Sequence, residues 1–250
     1  MATIDAAPKG LTFQPDIYPK VLSLLPEQRA ARILDLGAGQ GYFCALMLER
    51  GYTRVEACDY DAAKFKLSGV PFHAADLGQS IPLADRSIDT VVCIEVLEHL
   101  ENHLLFFREI LRVLRPGGTA ILTTPNILSI PSRWHFFLYG YTDCAPLPLD
   151  PNEKLFFRHH INPIGVPQLL YLTERFGGEM VALTTNRVRR SARALVWLLG
   201  PVMRLALRGK LLRARHAPHH DLHRRHLHWM LHPANLTGRI TIAVIRRRPE

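Results

Sequence analysis

Three features of this 250-residue sequence predict an α/β fold with a doubly wound, mostly parallel sheet. Short and almost wholly apolar runs alternate with helical patterns from about Arg32 onward, the first run flows into a glycine-rich turn, and successive runs end in aspartates. Runs without a polar face are expected of parallel strands covered by helices on both sides, and strand–helix alternation builds such a sheet. The chain is long enough to bury most of the surface that its unfolded form exposes, as one large α/β domain of residues 1–250.

The strand runs are Arg32–Leu36, Arg54–Cys58, Pro71–Ala75, Ile88–Ile94 and Thr119–Thr124, with two more at Met180–Thr185 and Arg239–Ile245. A helix begins near Tyr42, directly behind the glycines. A second, from about Asn102 to Arg115, repeats apolar residues at Leu104, Phe107, Leu111 and Leu114. It gathers Arg108, Arg112 and Arg115 toward its C-terminal end, where the helix dipole favours cations, and stops at Pro116-Gly117-Gly118. A third runs from Val166 to Phe176 and ends at Gly177-Gly178; no internal repeat is present.

Cys44, Cys58, Cys93 and Cys144 have neither metal-ligand nor disulfide-framework spacing, and the first residues, MATIDAAPKG, lack the apolar core of a signal peptide. The expectation is a cytoplasmic protein. Charge is distributed unevenly: residues 1–186 hold 16 Lys and Arg against 20 Asp and Glu, and residues 187–250 hold 15 against 2. A mildly acidic body is thus followed by a strongly basic segment.

The first strand enters Asp35-Leu36-Gly37-Ala38-Gly39-Gln40-Gly41. Glycines at a strand-to-helix turn permit positive φ and a close approach of backbone to ligand at a helix N-terminus. A dinucleotide fingerprint is spaced G-x-G-x-x-G; here the spacing is G-x-G-x-G with an acid two residues before the first glycine. That acid suits an ammonium or sulfonium better than a pyrophosphate, although nicotinamide or flavin nucleotides, or packing alone, remain alternatives. Asp59, about 20 residues on, ends the second strand where a carboxylate accepts ribose hydroxyls. Asp76 and Leu77 follow the third strand, placed to accept from an adenine amino group and to cover its ring.

In order, ILDLGAGQGYF (33–43), ACDYD (57–61), HAADL (73–77), SIDTVVCIEVLEHL (87–100) and LRVLRPGGTAILTTPN (111–126) resemble the motifs of the class I S-adenosylmethionine-dependent methyltransferases, and GRITIAVIRRR (238–248) resembles their last strand. The resemblance implies a Rossmann-like sheet of seven strands with the last antiparallel. It assigns S-adenosyl-L-methionine contacts to Asp35, Gly37, Gly39, Gly41, Asp59, Asp76, Leu77 and Glu95.

Glu95, Glu98 and His99 follow the fourth strand, spaced i, i+3 and i, i+4 as on one helix face. They belong beside the transferable methyl group. Glu98 or His99 can act as general base toward a hydroxyl; a divalent metal (Mg, Mn or Zn) held there can lower the hydroxyl's pKa instead; or the residues serve only to open a helix. The E-x-x-E-H spacing is similar to that of the ubiquinone-pathway O-methyltransferases and of enzymes methylating the 2′-hydroxyl at the 3′ ends of small RNAs. In the second group a later histidine joins the site, and His159 and His160 in LFFRHHINP (155–163) are the candidates here. The metal set is therefore Glu95, Glu98, His99, His159 and His160. Ile161-Asn162-Pro163 departs from the acidic-aromatic run of that RNA group.

Residues 128–162 form an aromatic insert with Trp134, Phe136, Phe137, Tyr139, Tyr141, Phe156 and Phe157, suited to an apolar acceptor. Residues 190–235 form a basic amphipathic insertion before the last strand. Its apolar run Ala194–Leu207, interrupted by Gly200-Pro201, is too short and too charged to span a bilayer but fits a helix lying in an anionic interface. RNA is a competing partner, and packing against the sheet or another protomer a third reading. Seven histidines between His216 and His232 match no closed zinc site. The expected function is O-methylation of a hydrophobic small molecule or lipid-linked acceptor by an enzyme peripheral to the inner face of a membrane. The alternatives are a metal-assisted RNA 2′-O-methyltransferase and a catalytically inactive adaptor of the same fold.

Overall fold

The structure, a computed structural model, describes residues 16–142, 159–213 and 220–249. Helix α1 (Ile17–Leu22) precedes β1 (Arg32–Leu36), α2 (Tyr42–Glu49), β2 (Arg54–Asp59), β3 (Phe72–Ala74) and β4 (Ile88–Ile94). A single 3₁₀ turn at Leu97–His99 leads to α3 (His103–Val113), β5 (Leu114–Pro125) and α4 (Ile130–Tyr139). After the second described segment opens come α5 (Val166–Arg175), β6 (Gly178–Thr184), α6 (Arg190–Arg213), α7 (His220–Met230), α8 (Pro233–Thr237) and β7 (Ile240–Arg247).

The seven strands lie in the order β3-β2-β1-β4-β5-β7-β6. Every pair from β3 to β5 is parallel, and β7 runs antiparallel between β5 and β6. The expected doubly wound sheet with an antiparallel last strand is present. Its faces follow from the two-residue side-chain period of a strand. Leu34, Leu36, Val91 and Cys93 point into one core with Ile110 and Leu111 of α3 and Leu169 and Leu170 of α5. Ile33 and Val92 point into the other, with Val21 of α1 and Phe43 and Met47 of α2. Both layers are closed, which explains why β1 and β4 carry so few polar residues.

Several boundaries differ from the sequence reading, β6 beginning at Gly178 and β7 reaching Arg247 among them. Helix α3 stops at Val113, two residues before the expected Arg115, because Leu114 is already extended and pairs with Ile88; β5 therefore starts at Leu114, not Thr119, and passes through Pro116-Gly117-Gly118. Strand β3 is only Phe72–Ala74. Gly200-Pro201 does not end α6, which runs continuously over 24 residues with Pro201 inside it. Cys144, Phe156, Phe157 and the connection at 214–219 lie outside the described residues.

The carboxyl ends of β1, β2, β4 and β5 share one edge of the sheet. The Asn126 side chain, just past β5, ties that edge to α8: its Nδ2 donates to the carbonyls of Asn235 at 2.9 Å and Gly238 at 3.0 Å, and its Oδ1 accepts from Leu128 N at 3.0 Å. Helix α6 packs against α4 and α8, bringing the aromatic insert and the basic insertion together.

Candidate active site

The loop after β1 folds onto the end of β2. Gly37 N donates to the Cys58 carbonyl at 2.8 Å, and Gly39 N donates to Asp59 Oδ2 at 2.8 Å. Gly37, at φ 76°, sits against Val96: an added Cβ would lie 2.3 Å from Val96 Cγ2. Gly39, at φ 54°, has nothing among the described residues within 4 Å of the position a Cβ would take. One glycine thus permits a close chain crossing, while the other leaves open space at the edge where a ligand belongs. Gly41 is the left-handed N-cap of α2.

Asp35 is 3% exposed, and its Oδ2 accepts from the Cys44 thiol at 3.3 Å. Burial, more than the nearby Asp59 charge, pushes its carboxyl up to about 7. A buried carboxylate so poorly supplied with donors gains from a cationic neighbour. Asp59 spends one oxygen on Gly39; Asp76 is engaged in its own turn, accepting from Gly78 N and Gln79 Nε2, and Leu77 is buried in the core.

The expected helix across Glu95, Glu98 and His99 does not form. Strand β4 runs to Ile94, Glu95 takes φ 53°, and the only helical residues are the single turn Leu97–His99 before Leu100 becomes extended. A left-handed glutamate costs about 1–3 kcal/mol and is held by its surroundings. Here the holder is Thr123: its hydroxyl accepts from Glu95 N at 3.0 Å and donates to Glu95 Oε1 at 2.7 Å. Burial still pushes the Glu95 carboxyl up to about 7.

The next threonine holds the Glu98 side chain. Thr124 Oγ1 donates to Glu98 Oε2 at 3.1 Å, whereas Glu98 Oε1 is buried with no hydrogen-bond partner among the described residues. With no exposed surface, Glu98 is raised well above the usual carboxyl range, by burial first and by the Glu95 charge second. His99 Nδ1 lies 2.9 Å from the His159 carbonyl. A carbonyl only accepts, so Nδ1 carries the proton and Nε2 presents its lone pair, 3.9 Å from Glu98 Oε1. Burial lowers the His99 pKa and keeps the ring neutral.

Asn162 brings the second segment into place. Its N–H donates to the Glu98 carbonyl at 3.0 Å, and its Nδ2 donates to the Leu100 carbonyl at 3.0 Å. His160 then stands edge-on to His99, ring centres 5.0 Å apart. One ligand atom each from Glu98, His99 and His160 lies within 4.8 Å of the others. Of the five candidate ligands these three are brought together. Glu95 is not in the group, being bound by Thr123, and His159 enters through its carbonyl while both its ring nitrogens are buried without partners among the described residues. Thr123, Thr124 and Asn162 are parts of the site that sequence reasoning did not assign. TTPN and HHINP carried them, but only the fold shows what they bind.

Tyr18 of α1 also borders this edge. It stacks on Phe43 at 5.4 Å, and burial together with the Asp35, Tyr42 and Glu95 charges keeps its hydroxyl protonated.

A seven-stranded sheet with this order, a glycine loop latched to an acid on β2 and a cluster of acids at its carboxyl edge define a class I methyltransferase fold. Residues 34–122 match the methyltransferase domain family. The chain is 37% identical over 98 residues to a probable S-adenosylmethionine-dependent methyltransferase of Mycolicibacterium smegmatis, covering 38% of each. It is 33% identical over 157 residues to trans-aconitate 2-methyltransferase of Rhizobium rhizogenes, covering 60% of this chain and 59% of that one. Among solved structures it resembles an S-adenosylmethionine-dependent methyltransferase of Mesorhizobium loti, with TM-score 0.55, 17% identity and coverage of 93% and 98%. Another, from Archaeoglobus fulgidus, gives TM-score 0.56 and 16% identity over 93% of both chains. At those identities the likeness is one of fold. Residues 34–122 thus match a methyltransferase domain inside a chain with the class I methyltransferase fold, and the chain spans 38% and 59% of the length of the two curated relatives.

Proposed function

We propose that this protein transfers the methyl group of S-adenosylmethionine to an oxygen of a hydrophobic small molecule or lipid-linked acceptor at a membrane surface. The observation that carries the reading is the placement of the buried Glu98 beside the half-buried His99, Oε1 and Nε2 3.9 Å apart, at the sheet edge next to the glycine loop. The cofactor's amino-acid end belongs near Asp35, whose raised carboxyl ionises when an ammonium arrives, and its ribose belongs near Asp59. Methyl transfer from a sulfonium consumes charge separation, so exclusion of water and alignment supply much of the rate. The acceptor proton remains to be removed, and His99 Nε2, with its lone pair and its Nδ1 anchored, is the base. A relative named for trans-aconitate supports a small-molecule acceptor.

The exposed faces of α4 and α6 support the membrane part. Phe137 and Trp197 are 77% and 82% exposed, and the two helices pack together. No described helix is long and apolar enough to cross a membrane.

The Glu98, His99 and His160 trio also fits a divalent cation. A histidine whose other nitrogen donates to a carbonyl is the usual orientation of a metal ligand, and a cation would give the orphaned Glu98 Oε1 its partner. When bound, the ion would acidify an acceptor hydroxyl. This favours one second reading, 2′-O-methylation of an RNA end.

The test is transfer of labelled methyl from S-adenosylmethionine into a total lipid extract and into RNA in parallel. Label in an oxygen-linked product of the organic phase is the expected result; label in RNA alone would transfer the reading to the second acceptor, and label in neither would reject both.

A further inference from the structure

Helices α6 and α7 flank an open groove of about 510 Å³. Arg204 and Arg208 line it from α6, Arg224 and Arg225 from α7, with Leu207 and Leu227 between them, and no carboxylate among the described side chains does. Arg225 reaches Glu174 only at 3.9 Å, and Arg204, Arg208 and Arg224 make no ion pair among the described residues. Four arginines along one groove make it strongly cationic, a setting that an anion stabilises. Arginine forks match phosphate oxygens in particular.

The neighbouring surface identifies what carries the phosphate. At about 100° per residue, Trp197, Leu198, Pro201, Val202, Leu205 and Leu212 fall on one stripe of α6. The large side chains of that stripe are exposed, Leu205 by 72% and Val202 by 64%. The opposite side of the helix carries the less exposed Val196, Met203 and Leu207. Arg204 and Arg208 stand on the border between the stripe and the groove. An apolar face turned outward with cations along its rim is the arrangement of a helix lying in a bilayer interface. RNA would match the arginines but leave the tryptophan and leucines facing water.

We propose that the groove between α6 and α7 binds the phosphate headgroup of an anionic phospholipid while the α6 stripe enters the acyl region beside it. This rests on the membrane part of the function proposed above and adds a lipid class and a binding site to it.

The experiment is co-sedimentation of the full chain with vesicles of phosphatidylcholine alone or with phosphatidylglycerol added, over a salt series. Arg204→Glu/Arg208→Glu and Leu205→Asp are compared with the parent, and S-adenosylhomocysteine binding is measured on each. Expected are a preference for the anionic vesicles that salt weakens, at least a tenfold loss with the arginine pair reversed, and loss of binding to both vesicle types in Leu205→Asp, all with unchanged S-adenosylhomocysteine affinity. Equal binding to both vesicle types, full anionic preference in Arg204→Glu/Arg208→Glu, or tighter binding to an unstructured RNA than to anionic vesicles would overturn the proposal. Failure to bind S-adenosylhomocysteine, by contrast, would count against the methyltransferase reading and leave the lipid site to stand on its own result.

Discussion

Glu98 Oε1 faces His99 Nε2 across 3.9 Å, while the other oxygen of the one is held by Thr124 and the other nitrogen of the other by the His159 carbonyl. Each side chain is clamped at its far end and aimed with its near end at the same space, where an acceptor hydroxyl or a cation fits. Removing the carboxylate should therefore affect chemistry more than cofactor binding. Glu98→Gln is expected to lower methyl transfer by about 10²–10⁴-fold while changing S-adenosylhomocysteine affinity by no more than a few-fold; transfer at parental rate would remove Glu98 from the mechanism.

Thr124→Val tests the clamp. It leaves a second oxygen of a fully buried carboxyl without its donor, at a cost of about 1–3 kcal/mol. Thermal or urea unfolding should show that loss in Thr124→Val and much less of it when Glu98 is replaced by Leu in the same chain, because the apolar pair leaves nothing unsatisfied.

The glycine loop gives opposite expectations at two positions. Gly37→Ala places a Cβ 2.3 Å from Val96 Cγ2 and should damage folding itself. Gly39→Ala meets no described atom within 4 Å and should cost only the roughly 1–2 kcal/mol of a left-handed alanine, yet on the proposed reading its methyl group takes room that the cofactor would need. Its thermal midpoint should stay near that of the parent while S-adenosylhomocysteine affinity falls at least tenfold; if affinity is retained, the cofactor does not approach this loop.

Asp35 supplies a pH dependence. Its carboxyl rises from an ordinary 3.8 to about 7 in the folded, ligand-free protein. A folded pKa above the unfolded one means that stability is greatest at low pH, as far as this group is concerned, and is lost as pH climbs from about 4 through about 7. A ligand ammonium reverses the preference by favouring the ionised form. S-adenosylhomocysteine should bind more weakly by up to roughly tenfold for each pH unit below 7, with binding releasing protons there, and reach a plateau above it. Calorimetry in buffers of different ionisation enthalpy measures both quantities, and a flat profile in an Asp35-intact protein would remove the cation from that site.

Metal binding separates the two catalytic readings. Mg²⁺, Mn²⁺ or Zn²⁺ titrated into metal-free protein should bind in the parent and fail in both Glu98→Ala and His160→Ala if the trio is a metal centre. Absence of heat in the parent leaves His99 as the base.

Much of this architecture was legible because β1 and β4 are buried on both faces and so carry their strand character in composition alone. The start of β5 was not, since Pro116-Gly117-Gly118 reads as a stop although Leu114 has already joined the sheet against Ile88. At the site, the E-x-x-E-H spacing implied a local geometry that the structure does not have. Spacing i, i+3, i+4 suggests a helix, but Thr123 holds Glu95 in a left-handed conformation, and only one 3₁₀ turn follows. What joins His160 to Glu98 is the Asn162 staple, a contact between distant segments that no local pattern announces.

Calorimetric titration of S-adenosylhomocysteine into the parent protein and into Asp59→Ala tests the central claim most directly. The account predicts one site per chain in the parent and at least a tenfold loss in the variant, whose Gly39 latch and ribose acceptor are both gone. No binding by a folded parent protein would contradict it.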